Sequence, residues 1–287
     1  MQTLNLSLSL NLKIDAHQHF WRFDPIRDAW IGPHMAVIQR DFMPGDLQPL
    51  LQETGVDGCV AVQADQSEDE NDFLLENAVR YDFIKGVVGW VDFWNPNVEE
   101  RLAYYKKFPK MKGFRHVLQG EKDRALMLNP NFKRGVGLLN QFGYTYDILI
   151  YPDQLGYTRD FVAAFPDQPF VLDHIAKPHI KDRYITDEWK DAIHSVAAFP
   201  NVCCKISGMV TEADWKHWKP EHFRVYIDTV VEAFGVNRIL YGSDWPVCLV
   251  AASYKQVFDI VKDYFSSFSA EDQAAFFGGN AIKFYHL

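Results

Sequence analysis

Eight short apolar runs recur along the chain, each followed by a loop and a helix-like stretch, and they constrain the fold more than any other feature. They are 12–16 (LKIDA), 58–64 (GCVAVQA), 84–91 (IKGVVGWV), 111–117 (MKGFRHV), 145–150 (TYDILI), 169–173 (PFVLD), 202–207 (VCCKIS) and 238–242 (RILYG). Runs without polar alternation read as strands buried on both faces, as in a parallel sheet. Helical periodicity fills the intervals, at 69–80, 189–198, 222–234 and 254–265, the last opening after Ser253 as an N-cap. Eight such units in 287 residues predict a single (β/α)8 TIM barrel. A doubly wound sheet would want a Gly-rich turn after the first strand, where this chain has Asp15-Ala16-His17-Gln18-His19. The barrel is assigned to 13–287, with 1–12 as an N-terminal extension whose alternating leucines suggest an edge strand.

Chemistry collects where such a fold places its active site, at the C-terminal ends of the strands. His17 and His19 close the first strand, Gln63 the second, Trp90 and Asp92 the third, Arg115 and His116 the fourth. Asp173 and His174 follow on the sixth, with Lys177 just beyond; Lys205 lies on the seventh, and Asp244-Trp245 follow the eighth. Ionisable groups gathered at one rim are costly to bury unless they bind a metal, a substrate or each other. His17 and His19 are two apart on a strand, so both rings share a face. Barrel closure makes the first and last strands neighbours, so Asp244 can join them around one divalent ion, zinc by ligand type.

The segments Ile14–Trp21, Gly113–His116, Leu172–Pro178 and Tyr241–Pro246 resemble the amidohydrolase superfamily (amidohydrolase family 2). More narrowly they resemble its lactone-hydrolase branch, which opens sugar lactones such as L-fuconolactone and L-rhamnonolactone. The resemblance implies that His17 and His19 are metal ligands, that His174 is the sixth-strand histidine, and that Asp244 binds metal or activates water. It departs from the superfamily in two places. No histidine follows the fifth strand, and Arg115 and His116 stand where a bridging carboxylate or carboxylated lysine is often found. A cation is a poor bridge between cations, so the expectation is one metal or none.

The expected activity is metal-assisted hydrolysis of a lactone to the free acid. Asp244 is the expected general base, Arg115 the oxyanion or carboxylate partner, and His174 a third imidazole near the metal, a proton shuttle or a substrate donor. Gln63, Trp90, Asp92, His116, Lys177 and Trp245 are the expected substrate contacts. Arg115 and His116 are adjacent, so both reach the site only if a bulge or early loop intervenes. A decarboxylase or an aromatic-pathway lactone hydrolase on the same residues, and a non-catalytic metabolite-binding barrel, are the alternatives.

With 29 basic and 38 acidic side chains the net charge is −9, which disfavours nucleic acid and anionic membranes as partners. A small-molecule lactone is the expected partner, and a homo-oligomer is compatible with the chain. No 20-residue apolar stretch or signal-peptide pattern is present, and Cys59, Cys203, Cys204 and Cys248 read as buried free thiols. The expected location is the cytoplasm.

Overall fold

The computed structural model describes residues 12–287. Eight strands form one parallel sheet in chain order: β1 (Ile14–Gln18), β2 (Gly58–Val62), β3 (Ile84–Gly89), β4 (Met111–His116), β5 (Thr145–Ile148), β6 (Phe170–Leu172), β7 (Val202–Ile206) and β8 (Ile239–Tyr241). The sheet closes on itself just past its last strand. Gln18 bridges Trp245 in parallel, the Asp244 amide donates to the His17 carbonyl at 2.8 Å, and the His19 amide to the Trp245 carbonyl at 2.7 Å. The chain is thus a (β/α)8 barrel. Each strand overlaps an apolar run of the sequence; β1 extends two residues past its run to Gln18, and the other strands end one or two residues short of theirs. The leucine-rich edge strand expected in the extension lies outside the described residues.

Ten α-helices wrap the described barrel: α1 (Pro44–Thr54), α2 (Glu68–Arg80), α3 (Val98–Tyr105), α4 (Pro130–Val136), α5 (Leu155–Ala163), α6 (Asp187–Ala197), α7 (Glu221–Phe234), α8 (Tyr254–Phe265), α9 (Ala270–Ala274) and α10 (Asn280–Tyr285). Their starts follow local capping chemistry. The Ser253 hydroxyl accepts from the Gln256 amide while Gln256 reaches back to the Ser253 amide, and Thr186 caps α6 through the Trp189 amide. The outward faces of the strands and the inward faces of the helices form one apolar layer. A second, smaller apolar cluster of Ile14, Val60, Val88, Val171 and Leu240 fills the bore, and α10 adds Ala281 and Tyr285 to it. Rather than a pore, the barrel has a packed floor beneath its polar upper end. Cys59, Cys204 and Cys248 are buried, Cys203 partly so, and all four are free thiols.

Candidate active site

The β1 strand ends with the two imidazoles facing each other: His17 Nε2 lies 3.2 Å from His19 Nε2. The loop after β8 delivers Asp244, whose Oδ1 sits 3.4 Å from His19 Nε2, 4.0 Å from His17 Nε2 and 3.8 Å from His174 Nε2. Four side chains from three strand ends therefore converge on one point, all nearly or wholly buried.

Their backbones are unusual. Asp244 has φ +57°, and His174, Ile175, Ala176 and Lys177 form a consecutive left-handed turn with φ between +49° and +57°. Non-glycine residues in that region cost about 1–2 kcal/mol each, a strain typical of functional sites. The turn swings His174 back over the barrel mouth and leaves Lys177 at the cavity wall. Gly208, itself at φ +65°, permits this approach, since a Cβ there would stand 2.6 Å from His174 Nδ1.

Hydrogen bonds fix which ring nitrogens face the centre. His19 Nδ1 donates to the Val62 carbonyl at 2.8 Å, which turns Nε2 toward the centre. His17 Nδ1 lies 3.2 Å from Asp173 Oδ1, while Arg115 Nη1, which can only donate, lies 3.4 Å from its Nε2. Both contacts favour the proton on Nδ1, while the Lys205 ammonium, also donor-only, lies 3.1 Å from Nδ1. The two Nε2 atoms thus face each other at 3.2 Å, close enough to share one proton or one metal ion. Ligands of a tetrahedral zinc ion stand about 3.3 Å apart, given bonds of about 2.0–2.1 Å. The donor atoms of His17, His19 and Asp244, all within 4.8 Å of one another, fit that spacing. Burial drives the proton affinities of His17 and His174 well below the usual histidine range, which favours the neutral, ligating form of both. Burial also works against ionised Asp244, yet its carboxyl stays below its usual range, with the nearby Lys177 ammonium among the charges that favour the anion.

Beneath this cluster the polar groups are paired. Arg115 Nη1 donates to Asp173 Oδ2 at 3.0 Å, and Nη2 to Gln63 Oε1 at 3.0 Å and to the Gln63 carbonyl. Lys205 Nζ donates to Asp147 Oδ2 at 2.6 Å and Asp173 Oδ1 at 3.0 Å. Burial disfavours the Asp173 carboxylate, yet Lys205, His17 and Arg115 together hold it well below the carboxylate range. Asp147, pushed up mainly by burial, reaches about 6.

Above the cluster opens a cavity of about 370 Å³, whose wall includes Trp21, Arg27, Trp30, Gln66, Gln119 and Lys177. That volume suits a small polar ligand. A wider, open cleft of about 550 Å³ lies beyond, lined by Glu212, which pairs with Lys177 at 3.7 Å, but it holds none of the four converging side chains.

Of the side chains expected from the sequence, His17, His19, His174, Asp244, Arg115 and Lys177 are brought to this place. Several others are not. His116 pairs with β5 in the same unbroken register as Arg115, so no bulge turns it inward. It faces outward instead, where its Nε2 meets Glu121 at 2.8 Å and Trp90 Nε1 donates to its Nδ1 at 3.3 Å. Trp90 is thereby removed from the cavity with it. Asp92 caps a turn by accepting from the Trp94 amide at 3.0 Å, and Trp245 is buried edge-on against Phe20 and Phe42. Gln63, wholly buried, supports Arg115 rather than reaching the cavity. Arg115 differs from expectation as well. Both of its terminal nitrogens are committed to Asp173, Gln63 and His17, so it contributes positive charge to the floor rather than a free donor to an oxyanion. Arg27, Gln66 and Gln119, which do line the cavity, lie in irregular loops where the sequence carries no periodic signal. Lys205 was visible on the seventh strand, but its pairing with Asp147 was not.

A barrel with this rim chemistry defines the class of protein, and comparison with known sequences agrees: residues 14–287 match the Amidohydrolase family model, and the chain belongs to that family. It is 41% identical to an L-fucono-1,5-lactonase of Burkholderia multivorans, with 96% of each chain covered. An L-fucono-1,5-lactonase of Burkholderia ambifaria is 34% identical over 97% of each chain. A crystal structure of an amidohydrolase from Burkholderia multivorans with bound zinc superposes with a TM-score of 0.92 at 41% identity, covering 96% of this chain and 99% of that one.

Proposed function

We propose that the protein is a hydrolase that opens a sugar lactone, of the L-fucono-1,5-lactone kind, to the free acid, with a divalent metal at His17, His19 and Asp244. The observation that carries this reading is the convergence of Asp244 with three inward-facing imidazoles at the floor of a small polar cavity. The full-length similarity to two L-fucono-1,5-lactonases supports the substrate class. Two imidazoles and a carboxylate around one point suit zinc, in keeping with the zinc-bound relative. When bound, the ion supplies Lewis acidity, acidifying water and polarising the lactone carbonyl.

The side chains divide the remaining work. Asp244, held ionised, takes the proton from the attacking water. His174, 3.8 Å from Asp244 and hydrogen-bonded through Nδ1 to the Ser207 hydroxyl at 2.9 Å, carries a proton to the departing ring oxygen. Lys177 at the wall holds a substrate hydroxyl or the nascent carboxylate. Arg115 lends a fixed positive charge beneath the reacting carbonyl as negative charge develops there. Trp21 and Trp30 offer apolar surface to the C–H faces of the ring, and Arg27, Gln66 and Gln119 offer polar contacts to its hydroxyls. Among the described residues no helix is long and apolar enough to cross a membrane, which is compatible with a cytoplasmic enzyme of carbohydrate metabolism.

The reading is tested by pH-stat titration of the purified protein against a panel of aldonolactones. Acid release above the spontaneous rate from L-fucono-1,5-lactone or a close stereoisomer is expected. Failure on every lactone of the panel would remove the proposal.

A further inference from the structure

Directly under the active site, a chain of buried polar groups runs from the floor of the barrel to His17. Tyr285, on α10, donates its hydroxyl to Asp147 Oδ2 at 2.8 Å. The same oxygen accepts from Lys205 Nζ at 2.6 Å, and Lys205 donates onward to Asp173 Oδ1 at 3.0 Å. His17 Nδ1 donates to that same Asp173 oxygen at 3.2 Å. The 3.1 Å approach of Lys205 Nζ to His17 Nδ1 follows, since both donors point at one acceptor. Arg115 pins the other Asp173 oxygen at 3.0 Å. Asp147, Asp173, Lys205 and His17 are fully buried, and Tyr285 is 1% exposed.

Filling the bore does not need this chemistry. Apolar side chains already pack the floor, and a buried ion pair is seldom more stabilising than the apolar residues that could replace it. Nor does α10 depend on the tyrosine hydroxyl for its place. Asn280 Nδ2 donates to the Val236 and Ile239 carbonyls at 2.7 and 2.8 Å, and Lys112 Nζ to the His286 carbonyl at 2.8 Å. The hydroxyl adds one bond to a carboxylate that already has a partner, and that bond leads toward Asp173 and His17.

We propose that Tyr285, Asp147 and Lys205 are positioning residues that hold Asp173 against His17, so that His17 keeps its proton on Nδ1 and presents Nε2 to the active site. The residues that orient a ligating histidine commonly set both its tautomer and its ligand strength. The proposal rests on the reading of His17 as a site donor, and its first readout needs neither metal nor substrate.

The experiment compares wild type, Tyr285→Phe, Lys205→Met and the double variant. Nitrogen-15 NMR of metal-free, histidine-labelled protein reports the His17 tautomer at one fixed pH. Competition with a chromogenic chelator reports zinc affinity, and lactone turnover gives kcat and KM separately. In wild type, His17 should be almost entirely the Nδ1–H form. Tyr285→Phe should mix the tautomers, weaken zinc about 10-fold and lower kcat with KM unchanged, while Tm moves by no more than ~2 °C. Lys205→Met should lose about 100-fold in zinc affinity. The double variant should be no worse than Lys205→Met alone, because both act along one chain. If Lys205→Met does not fold, Tyr285→Phe decides alone. Wild-type tautomer and zinc affinity in Tyr285→Phe, or additive losses in the double variant, would overturn the proposal. Absence of zinc binding by wild type would instead strike the metal reading, with the tautomer still deciding this one.

Discussion

Two layers of polar side chains lie one above the other in the upper barrel, and they are built on opposite principles. In the lower layer, Arg115, Lys205, Asp147 and Asp173 match two cations to two carboxylates at 2.6–3.0 Å. In the upper layer, His17, His19, His174 and Asp244 stand 3.2–4.0 Å apart with their Nε2 and Oδ1 atoms turned toward one point. Each charge of the lower layer meets its opposite there, although Asp147 Oδ1 and Arg115 Nε lack a hydrogen-bond partner, while the upper layer faces the cavity. Breaking one pair of the lower layer should therefore cost stability as well as turnover, and removing a group of the upper layer should cost turnover alone.

The largest expected effect is on turnover. Asp244→Asn should lower kcat by about 1,000-fold or more by removing the base, and its urea midpoint should match or exceed wild type. A clear loss of stability in this variant would erase the distinction between the layers. Arg115→Met should differ in kind, costing about 3–5 kcal/mol in urea unfolding because Asp173 loses a buried partner. A stability within error of wild type would show that Lys205 alone suffices for that carboxylate.

Glu70 sharpens the contrast between paired and unpaired burial. Asp173, flanked by cations, lies well below the carboxylate range, whereas Glu70, nearly as buried, accepts from the Ala64 amide at 2.9 Å and is pushed up by burial to about 7. A carboxyl whose folded value is raised binds protons more readily folded than unfolded. Its contribution to stability is thus largest below about 4.5 and is lost as pH rises toward about 7. Relative to wild type, Glu70→Gln should gain about 3 kcal/mol between pH 4.5 and pH 8, measured by urea denaturation at each pH. A flat difference across that range would contradict the assignment. The smallest effect is expected from Gly208→Ala, which pushes a methyl toward His174 at a left-handed position. It should cost about 1–2 kcal/mol in stability and reduce kcat more than KM. An unchanged kcat would mean that the placement of His174 by its turn does not matter for the reaction.

The barrel and much of the upper layer were legible because each rests on a local signal. Apolar runs mark the strands, and His17, His19 and Asp244 flank the one junction that closure requires. What stayed hidden depends on distance or on backbone conformation. The pairing of Lys205 with Asp147 joins the interiors of two strands, and Asp147 sits within an otherwise apolar run. Tyr285 reaches Asp147 across 138 residues of chain. The left-handed turn at 174–177 contains no glycine or asparagine to announce it. The outward face of His116 was one of two orientations that adjacency allowed, and only the unbroken β4–β5 register decides between them.

The central claim is that the upper layer holds one divalent ion and hydrolyses a sugar lactone with it. Its most direct test is metal analysis by plasma mass spectrometry, paired with L-fucono-1,5-lactone turnover before and after chelation and after zinc is restored. The account predicts about one equivalent of metal per chain, loss of turnover in step with its removal, and recovery on adding zinc. Full turnover with no metal bound would contradict it.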